Sequence, residues 1–230
     1  MFERVLVSGD GGDVGAAAVE WAIQRSAWSP SKLRLTDGVP SDELIESSDD
    51  WDLLVVGAES SDTPGAAHNA LSMRIAGRAH CATAIVQVGW ARSGYGVVVG
   101  WDNDEAADTV LTVAAIEAQW RDCPLTIVHV IEDPPTPEAV EGCPPALSSA
   151  VDRLRIEFPH LLVRRQVRSG SVAGGLVAAA GDSALLVVGA GLGHFHPALG
   201  QVSHDVVLNA TTPVIVVPPE VGAHYALRGA

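Results

Sequence analysis

Two hydrophobic patterns alternate along the chain. Short, nearly continuous apolar runs stand at Arg4–Ser8, Lys32–Thr36, Leu53–Gly57 and Ala84–Val88. Five more follow at Gly96–Trp101, Leu125–Ile131, Leu161–Val167, Ala184–Gly189 and Val214–Val217. Runs of this length, rich in Val, Ile and Leu without polar alternation, predict parallel strands covered on both faces. The windows Asp104–Gln119, Ser148–Glu157, Ser171–Ala180 and Leu199–Leu208 place apolar residues three and four apart, as helices with one buried stripe do. Strands and helices in alternation predict an α/β fold built on a doubly wound parallel sheet. The segment from Pro134 to Pro145 holds five prolines and reads as a surface loop.

The pattern also repeats. Leu-Leu-Val-Val-Gly-Ala occurs at Leu53–Ala58 and again at Leu185–Ala190, an offset of 132 (185 less 53). Val5–Asp10 matches Val97–Asp102 at an offset of 92, and Thr83–Val88 matches Thr212–Val217 at 129. Three runs recurring in the same order indicate a duplication. The rise from 92 to 132 leaves the first copy 40 residues shorter, the size of a strand–helix–strand piece. A Gly/Ser stretch at Gly89–Gly94 marks the boundary, which predicts domains at 1–91 and 95–219 and a tail at 220–230.

Charge narrows the function classes. Against 14 basic residues stand 28 acidic ones, a net charge of −14 that repels phosphate backbones and anionic lipid. Neither nucleic acid nor a membrane surface is an expected partner. Cys81, Cys123 and Cys143 are odd in number and lack metal-type spacing, so they read as reduced thiols of a cytoplasmic protein. The start of the chain runs straight into strand-like sequence without a leader pattern, and no apolar run reaches the length of a membrane span.

Ligands of open α/β sheets bind beyond the carboxyl ends of the strands, where the strand order reverses. The chain puts Asp10 and Asp102 there, together with the turns after Leu-Leu-Val-Val-Gly. In the second half that turn runs from Gly189 to Gly200 and leads into a helix from about Leu199. Glycines let backbone approach a phosphate, and free N–H groups at a helix N-terminus attract anions. No phosphate-binding lysine accompanies it, since Lys32 is the only lysine. Asp102 has two compatible readings, capping the helix that follows or contacting a ligand. His194 and His196 lack a third ligand and read as a solvated loop, and His129 at a strand end reads as packed or hydrogen-bonded. The glycines from Gly9 to Gly15 fit G-x-G-x-x-G in neither register, which argues against a dehydrogenase. A G-x-S-x-G elbow and zinc spacing are both absent.

With VVVGWD (Val97–Asp102) as a first strand, LTIVHV (Leu125–Val130) as a second, and LLVVGAG, LGQVS and TTPVIVVPP towards the end, the chain resembles the universal stress protein family in its tandem form. The likeness covers nearly all of the second half and the outline of the first. It implies a Rossmann-like fold, of the adenine nucleotide alpha hydrolase type, in each of two domains. Some members bind ATP, through a loop of two glycines separated by two residues, then nine residues, then Gly followed by Ser or Thr. Gly189 and Gly200 match the first and last glycines, but Leu192 and Gln201 depart from the motif and the loop is two residues short. In the first half Gly57 fits and Ser72 stands for the hydroxyl, while Ser60 and Leu71 replace glycines.

By that resemblance Asp102 and Val130 contact adenine and ribose, while Gly189, Gly200, Gln201 and Val202 hold phosphates through backbone N–H groups. Gln201 in place of Ser keeps the donor and crowds the phosphates. The first half is expected to lack the second strand that walls the adenine, to be structural, and to leave the second half as the sole site. The final strands, at a sheet edge in this family, invite pairing with each other as an internal pseudo-dimer, with a homodimer or another protein as further partners. The expected function is that of a non-catalytic stress-response protein binding an adenine nucleotide such as ATP, with or without Mg²⁺, in its second domain. The alternatives are a scaffold protein with no ligand, and a slow nucleotide hydrolase.

Overall fold

The computed structural model describes residues 2–9, 12–59, 69–104, 106–132, 144–191, 199–219 and 221. Its first half contains β1 (Arg4–Gly9), α1 (Asp13–Ser26), β2 (Lys32–Asp37), α2 (Ser41–Glu46), β3 (Leu53–Ala58), α3 (Asn69–Ala76) and β4 (Ala82–Gln87). The second contains β5 (Val97–Gly100), α4 (Ala107–Trp120), β6 (Leu125–Ile131), α5 (Pro145–Glu157), β7 (Val163–Ser169), α6 (Val172–Ala180), β8 (Leu185–Gly189), α7 (Gln201–Asn209) and β9 (Val214–Val217). All nine strands join one sheet in the order β2-β1-β3-β4-β9-β8-β5-β6-β7. Within each half the ladders are parallel. This is the doubly wound α/β sheet that the pattern predicts.

The absence of polar alternation has a direct cause. Alternate residues of one strand enter two different cores, so Val5 and Val7 face one layer while Leu6 faces the other. The first layer holds α1, α4 and α5, and the second holds α2, α3, α6 and α7. Each apolar run therefore contributes to both, and a polar residue has no favourable place in it.

The halves meet at the repeated final strands. β4 and β9 pair antiparallel, with Thr83 opposite Val216, Ala84 opposite Ile215 and Ile85 opposite Val214. Each strand thereby loses an apolar edge that would otherwise recruit another chain.

One expectation is corrected. The first half does possess a second strand, since β2 pairs with β1 in the place that β6 holds beside β5. What it lacks is the outermost strand, the counterpart of β7, together with the helix that precedes it. Most of the proline segment lies outside the described residues, as does Cys143, while Pro145 opens α5, a position that tolerates the missing N–H. Cys81 and Cys123 are buried free thiols, and burial pushes Cys81 up to about 12. Among the described residues no helix is long and apolar enough to cross a membrane.

A buried ion pair also spans the seam. Arg25 of α1 places Nη2 2.6 Å from Glu117 Oε1 of α4, and both side chains are almost fully buried. Arg121 grips the same carboxylate from one turn on. The Arg25 guanidinium lies against Phe2 and Trp120, that of Arg121 against Trp21 and Trp28. Ser29 and Ser31 accept hydrogen bonds from Arg25 Nη1. Arg25 and Glu117 occupy matching positions of the repeat, 92 residues apart (117 less 25).

Burial alone would raise the Glu117 carboxyl, but the two guanidiniums outweigh it and hold the group below its ordinary value. Because the folded value is depressed, its stabilisation is complete above the ordinary carboxylate range and fades as pH falls through the folded value. Glu117→Leu should cost about 3–5 kcal/mol, because it strands two buried cations. Replacing Arg25, Glu117 and Arg121 together by Met, Leu and Met should recover most of that loss, read from urea unfolding at neutral pH.

Candidate functional site

Strand order reverses between β5 and β8, and a cleft of about 610 Å³ opens there beyond their carboxyl ends. Asp102, Val130, Gly189, Gly200, Gln201 and Val202 all line it, so the structure brings all six expected residues together. Asp102 lies just beyond β5, Val130 is the penultimate residue of β6, Gly189 ends β8, and the other three open α7.

The phosphate-side wall is backbone. Gly191 has φ +71°, the left-handed region that favours glycine, and a methyl group there would lie 3.2 Å from the Gly200 Cα. The Gly200 amide donates to the Ala190 carbonyl at 2.8 Å, which fixes the start of α7 beside the end of β8. Gly200 caps α7 without a side-chain acceptor, so the first helical amides face the cleft with no side chain of their own cap to satisfy them. Ser203 donates to the Gly189 carbonyl at 2.6 Å. In the first half Ser72 donates to the Gly57 carbonyl at 2.7 Å, so the same clamp is built twice. Ser203 and Gly191 are residues that reading the sequence missed. The serine of Leu-Gly-Gln-Val-Ser and its counterpart Ser72 were the available signal.

The opposite wall is apolar. Gly175 of α6 lets that helix close on Val130, where an added methyl group would meet Val130 Cγ2 at 2.8 Å. Trp101 meets the His129 ring edge-on at 5.4 Å between centroids. His129 Nδ1 lies 3.3 Å from the Trp101 carbonyl, which can only accept, so Nδ1–H is the donor of this contact. The imidazole is thus engaged as a packed, hydrogen-bonded group.

Two expectations change. Asp102 does not cap α4, which begins at Ala107 with Ala106 at its cap; among the described residues its carboxylate accepts from the adjacent Asn103 amide at 2.8 Å. Gln201 does not crowd the anion wall with its amide, because Nε2 donates down the helix to both oxygens of Asp205, at 2.9 and 3.0 Å. Those hydrogen bonds, with His204 assisting, hold the Asp205 carboxyl below its ordinary value. His194, His196 and Leu192 lie outside the described residues. Asp102, Asp104 and Glu132 give the mouth its charge, and the described lining contains no Lys or Arg. Among the described residues no group of three His, Cys, Asp or Glu gathers to hold a metal.

At its own reversal point the first half is closed. Residues 10–12 separate β1 from α1, and residues 101–106 separate β5 from α4. The start of α1 lies directly on β3, where a methyl group on Gly57 would fall 2.0 Å from the Val14 carbonyl. Its counterpart at Gly189 would meet only Val110, at 3.5 Å. The place of Val130 is taken by Gly38, which provides no wall. The first half nevertheless holds an open hollow of about 460 Å³ on the β2 side of α1, lined by Gly9, Gly12, Gly15 and Leu35 among others. The expectation that only the second half offers a pocket is therefore corrected. Asp10 lies outside the described residues.

Residues 96–218 match the sequence profile of the universal stress protein family. The chain belongs to the universal stress protein family. No curated protein matches it in sequence. Among solved structures, a universal stress protein from Archaeoglobus fulgidus superposes with a TM-score of 0.72 at 15% identity, covering 94% of this chain and 98% of its own. A protein from Pseudomonas aeruginosa described as a universal stress protein has a TM-score of 0.63 at 15% identity, covering 99% of this chain and 87% of its own. At that identity the likeness concerns the fold, which for this universal stress protein extends over both halves.

The Gly191 conformation gives a test of the wall. Gly191→Ala should cost about 1–2 kcal/mol through its left-handed backbone, lowering the thermal midpoint by roughly 2–4 °C for each kcal/mol. Differential scanning calorimetry of the purified chain reads it.

Proposed function

We propose that this universal stress protein binds an adenine nucleotide in the second-half cleft and acts as a non-catalytic stress-response protein of the cytoplasm. The observation that carries the reading is the cleft itself. It lies at the strand-order reversal, one wall apolar and the other made of glycine backbone and the uncapped start of α7. Its volume falls within the range of small-molecule sites. Asp102 and Val130 take the adenosine, and the amides of Gly189, Gly200, Gln201 and Val202 take the phosphates, as the family resemblance suggests. Mg²⁺ would arrive bound by the phosphates, since the described residues offer no metal cluster of their own. Turnover is not part of the proposal, because the described lining holds no nucleophile with a positioned base.

The chain is further proposed to be a tandem duplication, residues 1–91 and 95–219 with a tail at 220–230. Its first copy is cut down by the loss of one edge strand and one helix, and its halves form an internal pseudo-dimer through β4 and β9. A second reading, an interaction protein without a ligand, is favoured by the mouth, where Asp102, Asp104 and Glu132 stand with no basic residue among the described lining.

Thermal unfolding with and without millimolar ATP, AMP and Mg²⁺ separates the two. A ligand at 100 times its Kd adds about 2.7 kcal/mol, a rise of several degrees, and Gly200→Val should remove the rise. Absence of any shift in the wild-type chain would favour the ligand-free reading.

A further inference from the structure

The two halves leave equivalent positions in opposite environments. Val7 of β1 pairs with Leu35, and Val99, at the matching place in β5, pairs with Ile127. Ile127 is 0% exposed, yet Leu35 is 55% exposed. On the helix above, Ala115 of α4 is 0% exposed and its counterpart Ile23 of α1 is 57% exposed. The difference is α5 and the strand it leads into, β7. In the second half the α5 residues Leu147, Ala150, Val151 and Leu154, spaced at one helical stripe, close the core over β7 beside α4. Among the described residues the first half has no helix there, and the 460 Å³ hollow between α1 and β2 occupies that flank, with Gly15, Ala16, Val19 and Leu35 in its lining. Monomeric proteins seldom leave contiguous apolar surface of this kind without a use.

We propose that the α1–β2 flank is a docking groove for an amphipathic helix of a partner protein, one with an apolar stripe of the α5 type. The chain itself shows what covers this face, because its other half covers the same face with such a helix. The small side chains of Gly15 and Ala16 admit the helix closely, and Val19, Ile23 and Leu35 receive its stripe. The paired strands β4 and β9 leave this flank as an unfinished side of the sheet, so a partner here does not compete with the internal seam.

The test uses the full ¹⁵N-labelled chain and a hydrocarbon-stapled peptide of residues 144–158, the α5 sequence with its helix pre-formed. Saturable amide shifts confined to residues 15–23 and 33–37 are expected. Leu35→Glu or Ile23→Glu should weaken binding by about tenfold or more, from the apolar contact each loses. Both side chains are exposed, so an unchanged thermal midpoint confirms that the variants remain folded. Absence of shifts overturns the proposal, as do shifts confined to residues 125–165, which would mean exchange with the chain's own α5. Binding that both variants leave intact also overturns it. So does a wild-type dimer in sedimentation that Leu35→Glu dissolves, because a second copy would then fill the groove.

Discussion

The Arg25–Glu117 contact sets the relation between the halves of this protein. A guanidinium and a carboxylate taken fully out of water each lose several kcal/mol of hydration. The loss is tolerable only where every polar atom finds a partner. Arg25 meets that condition through two carboxylate oxygens, two serine hydroxyls and two aromatic faces. The partners come from both halves, so the arrangement exists only when α1 and α4 are held side by side. The β4–β9 ladder brings the halves together without choosing among similar registers of Val, Ile and Ala, and the ion pair supplies the directional element. Among the described residues, Arg121 Nη2 alone of the cluster finds no hydrogen-bond partner.

The same sheet serves two tasks although the chain from first strand to first helix, measured by the repeat offset, is equally long in both halves. In the first, the start of α1 lies against β3 and the Val14 backbone fills the reversal point beside Gly57. In the second, α4 starts two matched positions later, at Ala107, and leaves a cleft walled by Val130, Trp101 and the glycines after β8. The serine–carbonyl clamp is present in both, so it belongs to the architecture of the turn. Openness comes from the other side of the crevice.

Most of the fold was legible because burial on two faces writes an unmistakable run of apolar residues. Leu125–Ile131 and Val214–Val217 were read at their true limits for that reason. Reading was weakest where the sheet meets water. β7 lies two residues later than its apolar outline suggests, because Val-Arg-Arg-Gln-Val-Arg-Ser is an exposed edge strand whose hydrophobic signal is diluted. α2 is a single short turn with one buried residue, Leu44, too brief for a periodic pattern. In the cleft, positions that follow strand ends were legible from topology alone, whereas Gly191 and Ser203 act through a backbone angle and a carbonyl that no spacing reveals. The offsets point to a difference in length between the halves but assign it to the wrong strand, because an offset records length and not place in the sheet.

The matched positions of Arg25 and Glu117 have a last consequence. On the proposed duplication, an ancestral single domain would have met its twin with the same residue on both sides of the axis. In the present chain, two first halves brought together that way would oppose arginine to arginine, and two second halves glutamate to glutamate. The first pairing leaves two buried cations without an anion, and the second leaves each carboxylate with Arg121 alone in place of two guanidiniums. The substitution thus works as an identity check. It makes unlike halves the acceptable match and bars the protein from returning to a dimer of like units.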